Sequence, residues 1–308
     1  MSAKTWDMPD GIYTALVTPF NNDEVDRKAW ERLVQRQIDG GVAGVVPIGC
    51  TGEAATLTVS EKEWLIRSAV DLCRNKCAVI AGSGSNSTAI TVEQTKQVKE
   101  WGADAAMLIS PYYNKPQQQG LLAHYRQVAR SVDIPIVLYN VPGRTAVNIL
   151  PETAAQLSAE PNIVALKEAS GDLVQIEEAI ARCDLKVFSG DDGLNFQVFG
   201  LGGHGAISVV SNLLPGAMSR FWQAWASGDI NQAWPMSRAF DPVTNACFVE
   251  ANPVPVKELL SMAGICQRDP RLPLVHVNEQ TLTTLIQFYE STLNDLLARD
   301  LTGTAAST

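Results

Sequence analysis

Eight short apolar runs recur along the first two thirds of this chain, and amphipathic segments separate most of them. The runs are Ile12–Val17, Gly44–Ile48, Ala78–Ala81, Ala106–Ile109, Ile134–Tyr139, Ile163–Lys167, Lys186–Phe188 and Ala206–Val210. Short and often β-branched, they read as strands. The segments between, Asp26–Asp39, Ser60–Cys73, Thr88–Trp101, Gly120–Val132, Ile149–Leu157 and Leu173–Arg182, alternate polar and apolar residues at helical spacing. Eight strands in βα alternation close a (β/α)8 TIM barrel. A doubly wound open sheet is the alternative, but it carries a glycine-rich phosphate loop after its first strand. Here Ile12–Val17 runs into Thr18-Pro19 and then Asn21-Asn22 instead. The barrel is the expected α/β fold.

Local signals mark several boundaries. Ser60 with Glu63 three residues on predicts a capping box, and Pro151 suits the first turn of its helix. After about residue 215 the strands stop. Met218–Trp225, Ile230–Asn245, Val256–Met262 and Gln280–Arg299 read as helices, with Pro235 and Pro242 expected to kink or break the second. The expected division is a barrel domain over 1–225 and a helical extension over 226–308, with Thr302–Thr308 frayed.

Composition excludes several functions. A net charge of −9 without a basic cluster argues against nucleic acid as a partner. The start, Met1–Asp10, lacks a signal-peptide pattern, and no apolar stretch approaches the roughly 20 residues that cross a bilayer. The 6 cysteines show no CxxC or Cys/His grouping and read as reduced, mostly buried thiols of a cytoplasmic protein, Cys73 and Cys77 suiting one helix face.

In such a barrel the chemistry gathers where strands end. The sixth run ends on Lys167. Desolvation among apolar walls lowers a lysine's pKa toward a free amine, the nucleophile of Schiff-base enzymes acting on carbonyl substrates. The alternative is a lysine that snorkels from its strand end. The second run leads into Gly49-Cys50-Thr51-Gly52-Glu53, whose amides can form a nest for a carboxylate. Tyr139 ends the fifth run, as a proton shuttle to a carbinolamine oxygen or as an ordinary buried tyrosine. Tyr112-Tyr113, after the fourth, faces solvent or a partner subunit. Arg144 follows a Pro-Gly turn and offers a planar fork to a second carboxylate, or a surface salt bridge. Asp191-Asp192 has neither histidine nor third carboxylate beside it, so no metal is assigned. The 3 histidines lie near no acid–nucleophile pair, which leaves a hydrolase triad unsupported. His204 is expected to hydrogen-bond within the glycine-rich turn before the eighth strand.

In combination these residues resemble the pyruvate-dependent class I aldolase and lyase family typified by dihydrodipicolinate synthase (4-hydroxy-tetrahydrodipicolinate synthase) and N-acetylneuraminate lyase. The likeness runs from Thr18-Pro19 through Gly49–Glu53 to Lys167 and Gly203-His204-Gly205, nearly the whole chain. It implies a lyase in which Lys167 forms the pyruvate Schiff base and Tyr139 is the general acid/base. Thr51 and the Cys50–Thr51 backbone hold pyruvate's carboxylate. Tyr113 enters a neighbouring subunit's site, and Arg144 binds the carboxylate of L-aspartate 4-semialdehyde. Gly190 and Ile207 complete the substrate-binding set. The implied product is 4-hydroxy-tetrahydrodipicolinate, for lysine and diaminopimelate. No cofactor is implied, because the iminium is itself the electron sink. The implied assembly is a homotetramer, a dimer of dimers.

Two departures from the family pattern stand out. Cys50 replaces the usual Thr or Ser of a proton relay with two tyrosines. A thiol is a weaker donor and acceptor, so the relay Tyr139–Cys50–Tyr113 runs poorly or is completed by water. Positions matching those of lysine-inhibited members read Val59, Lys62, Asn86, Ile90 and Tyr112; Ile90 stands where they carry glutamate, and weak or absent lysine feedback is expected. Two other functions stay open at this point: a pyruvate-dependent aldolase or dehydratase for keto-deoxy sugar acids, and a barrel that binds without catalysis.

Overall fold

The computed structural model describes residues 5–300. Eight parallel strands form a closed barrel: β1 Gly11–Ala15, β2 Gly44–Val46, β3 Ala78–Gly82, β4 Ala105–Ile109, β5 Ile136–Asn140, β6 Ile163–Glu168, β7 Lys186–Ser189 and β8 Gly205–Ser208. The hydrogen-bonded order β1-β8-β7-β6-β5-β4-β3-β2 returns to β1, as expected of a (β/α)8 barrel. All eight expected runs are strands. The chain forms two compact units, Val79–Ile207 joined by the chain up to Asp10, and Gly11–Ala78 joined by the chain from Ser208 onward.

In the unit of Val79–Ile207, helices α3 Thr88–Glu100, α4 Gln118–Ser131, α5 Pro151–Leu157, α6 Leu173–Arg182 and α7 Asn195–Gly200 alternate with the strands. Ser87 caps α3 and Asp172 caps α6, each side chain accepting from a first-turn amide. Helix α5 starts at Pro151 rather than Ile149, because a residue before proline is disfavoured in helical conformation. Strands β5 and β6 are buried along their whole length.

In the other unit, α1 Arg27–Asp39 and α2 Val59–Cys73 follow β1 and β2. Strand β1 is shorter than Ile12–Val17 because the Asn212 side chain takes the Val17 amide at 3.1 Å. Strand β2 stops at Val46, since Pro47 has no N–H to give and Ile48 turns left-handed, with φ 47°. The capping box of α2 is Thr58 with Glu61, two residues before the expected Ser60 and Glu63. Glu63 instead pairs with Arg67 at 2.8 Å. Cys73 closes α2 and Cys77 lies beyond it, so the two do not share a helix face.

Beyond β8 run α8 Pro215–Ala226, α9 Ile230–Cys247, α10 Val254–Met262, α11 Glu279–Phe288 and α12 Asn294–Asp300. Neither Pro235 nor Pro242 ends α9. Its buried side includes Phe240, which packs on Phe221 of α8 with ring centroids 5.7 Å apart. Such packing outweighs the one backbone hydrogen bond each proline removes. The expected Gln280–Arg299 helix is α11 and α12 joined by a π-helical turn, Tyr289–Leu293. The expectation for Thr302–Thr308 lies outside the described residues. Among the described residues no helix is long and apolar enough to cross a membrane.

Candidate active site

Lys167 on β6 is registered opposite Tyr139 on β5 and Phe188 on β7. It is 5% exposed, and Tyr139 is equally buried. The Lys167 Nζ lies over the Tyr139 ring, 4.3 Å from its centroid, so the ring face holds the amine. Gly190, just past β7, leaves the room for this lysine. A Cβ there would come within 3.0 Å of Lys167 Cε and 2.7 Å of Ala169 Cβ. Its amide donates to the Glu168 carbonyl at 2.7 Å. Ile207 is buried in β8. The expected burial of Lys167 beside the tyrosine is therefore present, and the snorkelling alternative is not.

Successive strand residues point to opposite faces, so Glu168 and Asn140 face away from Lys167 and Tyr139. Both are buried. The Glu168 carboxylate accepts from Asn140 Nδ2, at 2.9 Å to Oε2, and from the Ser170 amide, at 2.7 Å to Oε1. Burial nevertheless holds its carboxyl above the ordinary carboxylate range, the hydrogen bonds opposing that shift.

After β5, Pro142–Thr145 forms a single helical turn rather than a Pro-Gly reverse turn. Arg144 is exposed on it, and Ala146, with φ 56°, closes it. On the loop after β4, Tyr113 is 89% exposed with φ 73°, a left-handed conformation uncommon for a non-glycine residue. Asn114 tethers this loop by donating to the Asn86 carbonyl at 2.8 Å.

The turn after β2 belongs to the other unit and is anchored separately. Gly52 and Glu53 amides donate back to the Gly49 and Cys50 carbonyls at 3.1 Å each. Left-handed Ile48 and Glu53, φ 47° and 52°, flank it. For a β-branched residue such a φ is a true outlier and signals a backbone held in place by its surroundings. Thr51 is buried and its Oγ1 accepts from Asn252 Nδ2 at 3.0 Å; Cys50 is half-buried. Glu53 accepts from Lys257 Nζ at 2.7 Å and from the Arg271 amide at 2.8 Å. Lys257 and Glu53 form an ion pair with side chains 0% and 1% exposed.

The remaining candidates have structural partners. His204 exchanges backbone and ring hydrogen bonds with Val187 of β7, at 2.8 and 3.3 Å, instead of bonding within its own turn. His124 is buried, meets Thr88 Oγ1 at 3.0 Å, and has its pKa lowered to about 4 by that burial. Asp191 caps a short helical turn through the Gly193 amide. Among the described residues no group of three His, Cys, Asp or Glu side chains is placed to hold a metal ion. None of the 6 cysteines forms a disulfide; three are buried and three half-buried.

The sequence profile of the dihydrodipicolinate synthetase family matches residues 8–291. The chain belongs to that family. Among its relatives, the 4-hydroxy-tetrahydrodipicolinate synthase of Thermodesulfovibrio yellowstonii is 45% identical over 91% of this chain and 97% of its own length. The solved dihydrodipicolinate synthase of Thermotoga maritima superposes with a TM-score of 0.91 at 40% identity, covering 93% of this chain and 99% of that one. The chloride-inhibited enzyme of Acinetobacter baumannii, solved with pyruvate, gives 0.89 at 39%, covering 92% and 98%.

Within this member of the dihydrodipicolinate synthetase family, sequence reasoning passed over Asn140, Glu168 and Lys257. A signal existed for each. Lys257 lies in Val254-Pro255-Val256-Lys257-Glu258-Leu259-Leu260, where a charge inside an apolar stretch demands a buried partner. Glu168 and Asn140 directly follow the two strand-end residues singled out for chemistry.

Proposed function

We propose that this chain condenses pyruvate with L-aspartate 4-semialdehyde through a lysine Schiff base, giving 4-hydroxy-tetrahydrodipicolinate for lysine and diaminopimelate synthesis. One observation carries the reading: a buried primary amine rests on a buried tyrosine ring where two registered strands end. Family membership supplies the reaction class. The Lys167 amine attacks the ketone carbon of pyruvate. The resulting carbinolamine takes a proton from Tyr139 and loses water, leaving an iminium. Loss of a methyl proton gives the enamine, whose carbon attacks the aldehyde. The semialdehyde's own amine then displaces Lys167 from the imine carbon, which closes the ring and frees the enzyme.

The remaining roles follow the family resemblance. The turn's internal hydrogen bonds draw on Gly52 and Glu53, so the Cys50 and Thr51 amides are the ones offered to pyruvate's carboxylate. Arg144, exposed on its helical turn, takes the semialdehyde's carboxylate in a bidentate fork. Gly190 and Ile207 bound the space around the amine. A tyrosine that is both exposed and left-handed carries an unfavourable conformation without local burial to reward it. That supports reading Tyr113 as an element completed by a second copy of the chain, within a homotetramer. Cys50 gives the proton relay a thiol, a weaker donor and acceptor than a hydroxyl, so the relay runs poorly or is completed by water.

Borohydride added together with pyruvate tests the reading. One reduced pyruvyl group should appear on the peptide bearing Lys167, and Lys167→Ala should not be labelled. Labelling of another lysine, or none, would overturn it. A panel of keto-deoxy sugar acids assayed beside the semialdehyde checks the second substrate. Arg144→Ala should raise KM for the semialdehyde and leave pyruvate labelling intact.

A further inference from the structure

The register that pairs Tyr139 with Lys167 also pairs the next residues, Asn140 with Glu168. This outward pair is bonded side chain to side chain, Asn140 Nδ2 reaching Glu168 Oε2 at 2.9 Å and Oε1 at 3.1 Å. Glu168 is 1% exposed. Gln175 on α6 donates to the same carboxylate at 3.4 Å and to Asn148 Oδ1 at 3.1 Å. Asn148 donates in turn to Gln175 at 2.6 Å and accepts from Asn140 at 2.8 Å. The Ile149 amide completes the set by donating to Asn140 Oδ1 at 2.9 Å. The loop bearing Arg144 thus leaves β5 after Asn140 and is bound back to Asn140 where it returns.

We propose that Asn140 and Glu168 are positioning residues: their buried pair locks the ends of β5 and β6, and so fixes Lys167 against Tyr139 and the span of the Arg144 loop. The inference rests on the Schiff-base reading above. Both side chains point to the strand face opposite Lys167 and Tyr139. The chemistry of the partners supports it. The Asn140 amide nitrogen, the Ser170 amide and the Gln175 amide nitrogen are all donors, so the site is built for an acceptor-only carboxylate. Glu168→Gln keeps the size and sets an NH2 group against those donors. Misplacing a nucleophile by about 1 Å costs on the order of 10²-fold in rate, and the locked register holds the lysine to that tolerance.

The test compares single-turnover rates of borohydride-trapped imine in wild type, E168Q, and the double variant E168Q/N140D. The double variant exchanges donor and acceptor across the pair. Its carboxylate on β5 can accept from the side-chain amide introduced on β6, from the Ile149 amide and, once the Asn148 and Gln175 side-chain amides turn over, from Asn148. E168Q should form the Lys167 imine about 100-fold more slowly, with KM for pyruvate changed far less, and the double variant should recover most of the rate. If E168Q does not fold by circular dichroism, Asn148→Ala decides the matter. It cuts the tether to the Arg144 loop and should raise KM for the semialdehyde about 10-fold with imine formation at the wild-type rate. An E168Q rate equal to wild type, a slow E168Q that the double variant fails to rescue, or an unchanged N148A after loss of E168Q overturns the inference and leaves the Schiff-base reading standing. Wild type unlabelled at Lys167 overturns both.

Discussion

Two lysines are buried among the described residues, Lys167 and Lys257, and each rests its amine on an aromatic ring, at 4.3 Å over Tyr139 and 4.4 Å over Phe20. They differ in what faces them. Lys257 meets the Glu53 carboxylate at 2.7 Å, although burial still pulls its pKa below the ordinary lysine value against that attraction. Lys167 has a carboxylate next to it in sequence, but strand alternation turns Glu168 to the opposite face, where neutral amides satisfy it. An ion pair fixes an ammonium as a structural charge and withholds it from chemistry. The Lys167 amine lies instead against the face of a tyrosine registered with it at the end of the neighbouring strand, where the proposed chemistry needs an amine.

Truncating the two lysines should therefore fail in opposite ways. Lys167→Ala is expected to reduce turnover on the order of 10⁴-fold or more, as losses of a covalent nucleophile do, with little change in the urea midpoint. A normal rate in that variant would end the distinction. Lys257→Met leaves Glu53 buried without its cation and should cost about 3–5 kcal/mol of stability in urea titration. Adding Glu53→Gln to it should return most of that loss, because two neutral groups replace a broken pair. A strictly additive double variant would mean that the pair is not coupled.

Acid titration sharpens the contrast at the carboxylates. Glu61 is held down at about 2, chiefly by its hydrogen bond from Arg271. A depressed folded pKa stabilises above the unfolded value of 4.5 and loses that contribution as pH falls toward about 2. Glu168 is shifted the other way by burial, so its ionised form weighs against folding at neutral pH and that penalty fades on acidification. Urea melts from pH 6 to about 2 should show Glu61→Gln losing part of the wild-type acid slope, about 1 kcal/mol for a partly buried pair still reached by solvent. Glu168→Gln should change the slope in the opposite sense. Equal slopes in both variants would contradict the assignment. The smallest effect is expected for free lysine, which should leave the initial rate unchanged at millimolar concentration, given Ile90 in place of an acid.

How far the sequence reached follows from what each feature depends on. The eight strands and most helices were legible because burial period and capping chemistry are local. The placement of Lys167 and Tyr139 at adjacent strand ends, with Arg144 on the turn that follows, was legible because the apolar runs stop there. The Thr58 box, the uninterrupted α9 and the Val187 partners of His204 were not, since competing caps and packing across elements decide them. The Glu53–Lys257 pair joins residues 204 positions apart, and the clamp of Asn140 on Glu168 depends on a strand register that composition does not encode.

Crystals soaked with pyruvate test the central claim most directly. Continuous density from Lys167 Nζ to the pyruvate C2 atom is expected, with the carboxylate on the Cys50 and Thr51 amides. Pyruvate bound without a covalent link at saturating concentration, or an imine on any other lysine, would contradict it.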